Sequence, residues 1–254
     1  MNLTPLNAAD LAQVHALHAE LGDGTGITAA QWDALTPLRD HLATALGIDH
    51  APASAREPFV LLRHQADDGA PLVGPRWWFH LLGLRHGAIH IVLTTPQGFF
   101  VAQRRSFAKD SSPGALDVAV SGHIGTEVPL TAAWREMAEE VGLAPSDLVA
   151  ATLQPLFEHD INILTYAAAN PPYLDREHHW IYTGSITAAG LAQLRFRDGE
   201  VTALLLAGPS EVARLHTRCL AGQQQQAGEM DIANGLFLTL PIWVAAQEHA
   251  REPA

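Results

Sequence analysis

The sequence predicts an α/β chain: a helical N-terminal extension followed by a domain in which short strands and helices mix. Three observations predict it. Apolar residues make up 48% of the 254 residues, enough for a sizeable core. The apolar pattern changes near residue 56 from helical spacing to short β-like runs. Beyond that point helices interrupt the strands without regular βαβ alternation or internal repeat.

The elements follow in order. Leu11, Val14, Leu17 and Leu21 recur at helical spacing, and the Gly-rich stretch 22–26 ends that helix. Thr28 caps a second helix running to about Leu46, with Pro37 as a kink. Residues 49–56 read as a linker, so residues 1–55 form an extension and 56–254 the main domain. Phe59–Leu62 and the run Trp77-Trp78-Phe79 read as strands flanking a turn at Asp67-Asp68-Gly69. Ala88–Leu93 and Phe99–Gln103 form a hairpin about Pro96-Gln97-Gly98. Leu130 to Val141 is a helix with Leu130, Ala133, Met137 and Val141 on its buried stripe. Strands at 153–157, 178–186 and 201–206 precede a helix at 209–220. The glutamine run 223–226 is a solvated loop, and a last helix runs from about Met230 to His249.

Composition excludes several classes of function. Fifteen basic against 27 acidic residues give a charge of −12, which argues against a broad nucleic-acid surface. A small phosphorylated ligand is compatible with that charge when a divalent cation lies between carboxylates and phosphate oxygens. Apolar stretches fall well short of a membrane span, and residues 1–10 lack the pattern of a signal peptide. Cys219, the single cysteine, cannot form an internal disulfide. A cytoplasmic protein is the expectation, and the apolar N-terminal helices allow a homodimer.

The chemistry concentrates in Ser121–Glu127 and Arg135–Leu143. On the predicted helix Glu136, Glu139 and Glu140 lie on or near one face, where like charges repel. A hard cation reverses that sign, and a glycine in the preceding loop lets backbone approach the same cation. Glu127, Arg135, Glu136, Glu139, Glu140 and Gly142 co-occur by chance in about one chain in 10⁵ at average residue frequencies.

These residues resemble the signature of the Nudix hydrolase family: Gly, five residues, Glu, seven residues, then Arg-Glu-apolar-any-Glu-Glu-any-Gly-apolar. The match departs at Gly122, which precedes Glu127 by four intervening residues. The resemblance implies an α/β/α sandwich with a mixed sheet over residues 56–220. It also implies attack of water on a diphosphate linkage, assisted by Mg²⁺ or Mn²⁺. Glu136, Glu139 and Glu140 are then metal ligands, one of them also a possible general base, with the Gly122 carbonyl beside them. Arg135 orients a glutamate, either Glu127 or Glu139. Glu200 resembles the late acidic residue that many members use as a further ligand or base. Arg104, Arg105 and Lys109 are candidates to hold the outer phosphates.

Residues 58–127 are also similar to the branch related to isopentenyl diphosphate isomerase. The isomerase's catalytic cysteine is Ser121 here, a far poorer acid–base group than a thiol. Its histidine ligands map onto His86 and His123. The resemblance thus implies isomerase ancestry with hydrolase chemistry on a small-molecule diphosphate; an isomerase and a non-catalytic binding module are the alternatives. Trp77, Trp78, Trp180 and Tyr182 read as core aromatics or base-stacking groups, His90 as a further contact, and His178-His179 as surface.

Overall fold

A computed structural model describes residues 3–63, 70–109, 111–196 and 199–249. The turn expected at Asp67–Gly69 lies outside these. In chain order the helices and strands begin with α1 (Ala8–Leu21), α2 (Ala29–Ala34) and α3 (Thr36–Leu46), then β1 (Pro58–Val60), β2 (Val73–Pro75) and α4 (Arg76–Leu82). There follow β3 (His86–Thr94), β4 (Phe100–Arg105), β5 (Leu116–Val118), β6 (Val120–His123) and α5 (Pro129–Glu136). The rest is β7 (Gln154–Tyr166), β8 (Tyr173–Ser185), α6 (Ala188–Gln193), β9 (Val201–Ala207), α7 (Pro209–Leu220) and α8 (Asn234–His249).

The chain divides into two compact units. The first comprises residues 1–88, 123–128 and 159–179; the second comprises 89–122, 129–158 and 180–254.

In the first unit local chemistry sets the helix ends. The Asn7 side chain accepts from the backbone N–H groups of Ala9 and Asp10 at the start of α1. Thr28 and Gln31 form a reciprocal capping box at the start of α2. The second helix expected from the sequence is two helices. α2 stops at Ala34 and α3 restarts at Thr36, because Pro37 suits a first turn but cannot donate within a helix. The linker 49–56 contains two short 3₁₀ turns.

Trp77-Trp78-Phe79 is not a strand. It forms α4, whose residues Trp77 to Leu82 are all buried, closed by Gly83 at φ +65°. An apolar run buried on all sides carries no period that separates helix from strand. Its rings pack into one core with Phe59, Trp32, Val14, Leu42 and Leu46, so the extension's apolar residues are covered by their own unit.

In the second unit β4 is the hub. It pairs antiparallel with β3 at the hairpin, with β5 through Gln103 and Asp117, and with β9 from Phe100 to Arg105. The β9 register shifts between Arg104 and Arg105. The sheet runs in the order β5-β4-β3-β8-β7, with β6 on β3 and β9 on β4. α7 and α8 cover a core of Phe100, Leu116, Leu215, Leu236 and Trp243. α8 starts at Asn234, four residues later than expected, and 223–226 is loop as expected.

α5 is regular only to Glu136. Residues Met137–Val141 form a π-helical turn in which the Gly142 N–H reaches back five residues to the Met137 carbonyl. Ala133, Met137 and Val141 are buried as expected; Leu130 is exposed, since it lies in the first turn. No helix among the described residues is long and apolar enough to cross a membrane.

Candidate active site

The end of α5, β6, and the segments after β4 and before β9 bring the expected acidic residues together in the second unit. The Glu140 side chain is buried, and its Oε2 accepts from the Ser121 backbone N–H at 3.2 Å and Gln103 Nε2 at 3.3 Å. Glu136 is nearly buried, whereas Glu139 is half exposed. The π turn therefore places two carboxylates inward and one outward.

Gly122 lies close against the Glu136 side chain. A Cβ there would lie 2.1 Å from Cδ and 2.2 Å from Oε1 of Glu136. The one-residue-shorter loop thus still presents bare backbone to a carboxylate.

Arg135 donates to Glu136 at 2.7 Å and to Glu139 at 3.1 Å, one of the two partners expected of it and one that was not. Lys109 forms an ion pair with Glu200. Asp198, in the turn before Glu200, lies outside the described residues. The other two basic candidates face their own loop. Arg105 binds Asp117 at 3.0 Å and the Ser111 carbonyl at 3.1 Å, and Arg104 donates to the Gly114 carbonyl.

The electrostatics follow from burial. Desolvation raises the Glu136 carboxyl to about 7 against the pull of Arg135, with Glu139 and Glu200 pushing the same way as burial. Burial and the neighbouring Glu136 raise Glu140 well above the carboxylate range, opposed by Lys109 and the Ser121 N–H. Carboxyls held this way take a proton or a cation. The oxygen donor set of Glu136, Glu139, Glu140 and Glu200 suits a hard divalent ion.

The first unit holds a second cluster, formed by His80 of α4, His86 of β3, His123 of β6 and Asp175 of β8. One ligand atom from each lies within 4.8 Å of all the others. His86 Nδ1 meets the Leu84 carbonyl at 2.9 Å and His80 Nδ1 the Leu174 carbonyl at 3.2 Å. Those contacts place the protons on Nδ1, so each Nε2 carries a lone pair, and neither Nε2 has a hydrogen-bond partner. Burial lowers His80 well below its ordinary value and His123 to about 3, so both are neutral at pH 7. Phe59 stacks on His86 and His123 with centroids at 4.8 and 4.9 Å. Glu177 receives His123 at 2.9 Å and His179 at 2.6 Å, which holds its carboxyl low; Asp175 beside it is raised by burial and by Glu177. Neutral imidazoles fixed through their other nitrogen are the form in which histidine binds metal.

The resemblance singled out His86 and His123 as candidate ligands, and the structure brings both into this cluster. Asp175 and Glu177 were not singled out, since β8 brings them from a distant segment, nor was His80, which lies on a buried helix that the sequence reads as a strand. His179, read as surface, is buried. His90 is buried with Nδ1 3.2 Å from Thr239 Oγ1 in the second unit. Trp77 and Trp78 are core.

A family model, NUDIX domain, matches residues 84–216, just over half of the chain. No curated protein matches significantly. Among solved structures the chain is similar to DR0079 from Deinococcus radiodurans, with 20% identity over 62% of this chain and 80% of that one, TM-score 0.42. It is similar to a C. elegans Ap4A hydrolase in a binary complex, with 13% identity, 64% and 98% coverage and TM-score 0.43. A third is the Nudix hydrolase RenU from M. smegmatis, with 14% identity, 77% and 96% coverage and TM-score 0.42. These likenesses are remote, and the assignment rests on the family model. The chain belongs to the NUDIX domain family.

Proposed function

We propose that the protein cleaves the diphosphate linkage of a small molecule, such as a nucleoside diphosphate joined to another group, with Mg²⁺ or Mn²⁺ as cofactor. The observation that supports this reading most is the inward-facing pair Glu136 and Glu140, whose carboxyls burial and neighbouring carboxylates push upward. A divalent cation there neutralises substrate phosphate charge and lowers the pKa of a water.

The chain's own residues supply the rest. Glu136, Glu139 and Glu140 hold the cation, with the Gly122 carbonyl and Glu200 beside them. Arg135 orients Glu136 and Glu139 through its two hydrogen bonds. Lys109 exchanges its Glu200 contact for a substrate phosphate, whereas Arg104 and Arg105 stay engaged by the Gly114 carbonyl, Asp117 and the Ser111 carbonyl. The charge of −12 fits a small substrate better than a nucleic-acid strand.

A second reading has one observation in its favour. The His80–His86–His123–Asp175 cluster includes both histidines that align with isomerase ligands. Action on isopentenyl diphosphate is the corresponding activity, and Ser121 opposes it.

The test is a ³¹P NMR and mass-spectrometric panel with Mg²⁺ and Mn²⁺. It holds nucleoside triphosphates, nucleoside diphosphate conjugates, thiamine diphosphate and isopentenyl diphosphate. Cleavage of one compound, lost in Glu139→Gln, is the expected result. A double-bond shift in isopentenyl diphosphate without any cleavage would replace the hydrolase reading with the second one.

A further inference from the structure

Gln103 lies in β4, the hub of the sheet in the second unit. Its backbone is flanked on both sides, by Asp117 of β5 and Leu204 of β9. Successive side chains of a strand point to opposite faces, so Ala102 enters the core covered by α7 and α8 while Gln103 faces the other way. There Gln103 is buried beside the equally buried Glu140. An amide sealed from water needs a partner, and Gln103 Nε2 donates to Glu140 Oε2 at 3.3 Å. The Ser121 backbone N–H, from β6, donates at 3.2 Å to the same oxygen.

The two oxygens of Glu140 are therefore unlike. Oε2 receives both N–H groups and Oε1 receives neither of them. Lone pairs given to N–H donors are not open to a cation, so Glu140 has one oxygen to offer. One oxygen per carboxylate suits Mg²⁺, which demands near-octahedral geometry at about 2.0–2.1 Å. Ca²⁺ is larger, sits at about 2.3–2.6 Å and readily takes a carboxylate through both oxygens.

We infer that Gln103, with the Ser121 N–H, holds Glu140 to ligation through one oxygen and so shifts the cation preference of the site away from Ca²⁺ toward a small octahedral ion. This rests on the cation reading above and adds to it a residue that tunes the choice of ion. Gln103 acts through Glu140 as a positioning residue and takes no part in bond cleavage.

The test is thermal melting of the full chain over concentration series of MgCl₂ and of CaCl₂ at constant ionic strength, each against a chelator baseline. The rise in melting temperature with concentration gives the affinity for each ion. Both ions prefer oxygen to imidazole, so the histidine cluster stays silent. Gln103→Met keeps the volume and removes the donor; Gln103→Asn keeps the amide and withdraws it by one methylene, about 1.5 Å. Each variant should move the ratio of Ca²⁺ to Mg²⁺ affinity at least about 10-fold toward Ca²⁺, the size of effect expected when a group orienting a metal ligand is lost. A role in packing alone lowers the chelator baseline and leaves that ratio unchanged. An unchanged ratio in the folded variants, while Glu140→Gln weakens both ions, overturns the inference and leaves the cation reading standing. A wild type whose melting ignores Mg²⁺, or a Glu140→Gln that binds it as tightly as the wild type, removes the cation reading and the inference with it.

Discussion

At the scale of residues, the glutamates differ more than their spacing suggests. Helical geometry places Glu136, Glu139 and Glu140 on one face, but Glu140 is buried, Glu136 nearly so and Glu139 half exposed. If these glutamates hold the cation as proposed, Glu140→Gln or Glu139→Gln lowers turnover at least about 100-fold with the fold intact, since each removes a ligand charge. Circular dichroism beside steady-state rates checks this, and near-wild-type rates would place the chemistry elsewhere. Glu136 adds a pH dependence. Its folded-state value of about 7 exceeds the unfolded value of 4.5, so between them the folded protein holds a proton that the unfolded chain has released. Stability from this group is therefore full below pH 4.5 and lost as pH rises through 7. With chelator present, Glu136→Gln should equal the wild type near pH 4.5 and exceed it at pH 8 by up to about 3 kcal/mol. Urea melts across that range measure the difference; parallel curves would mean that Glu136 is not buried as a carboxyl. The acidic cluster was legible because its residues are local in sequence. Asp175 and Glu177 were not, because β8 brings them to His86 and His123 from a distant segment, and His80 was not, because it lies on a buried helix that the sequence reads as a strand.

At the scale of elements, a π turn closes α5 where a regular turn was expected. Met137–Val141 ends on Gly142 at φ +73°, and hydrophobic spacing does not distinguish the two turns over five residues. Gly122 in β6 faces this helix through Glu136. Gly122→Ala forces Glu136 away, because its Cβ would lie 2.1 Å from the carboxyl carbon. We predict at least a 10-fold rate loss, roughly 1.4 kcal/mol of transition-state stabilisation, with a melting temperature shift of only a few degrees. A wild-type rate would contradict the tight packing of β6 on the helix. The N-terminal helices were readable from caps and spacing at Thr28 and Gly22. α4 was misread because Trp77-Trp78-Phe79 favours strands by propensity, and tertiary burial on all sides overrode it.

At the scale of the whole molecule, the described residues include candidate cation sites of different chemistry, among them the carboxylate and the histidine clusters. Oxygen donors in the second unit suit Mg²⁺ or Mn²⁺, and the three histidines with Asp175 in the first suit a transition metal. A ligand that binds only the folded state raises stability by mass action, so excess Mn²⁺ should raise the melting temperature of the full chain. At 100 times the dissociation constant the gain is about 2.7 kcal/mol, and His86→Ala and Glu140→Gln should each retain part of it. Unchanged melting in both metals would argue against either site being preformed. The α/β class was readable from the change in apolar period near residue 56. The partition into units was not, because residues 123–128 and 159–179 rejoin the N-terminal segment from far along the chain. The central claim is that the carboxylates at the end of α5 hold the working cation. A crystal soaked in Mn²⁺ and measured above the manganese absorption edge tests it most directly. The account predicts an anomalous peak at coordination distance, about 2.0–2.2 Å, from oxygens of Glu136 and Glu140. A peak at the histidine cluster alone, with the glutamates bare, would contradict it.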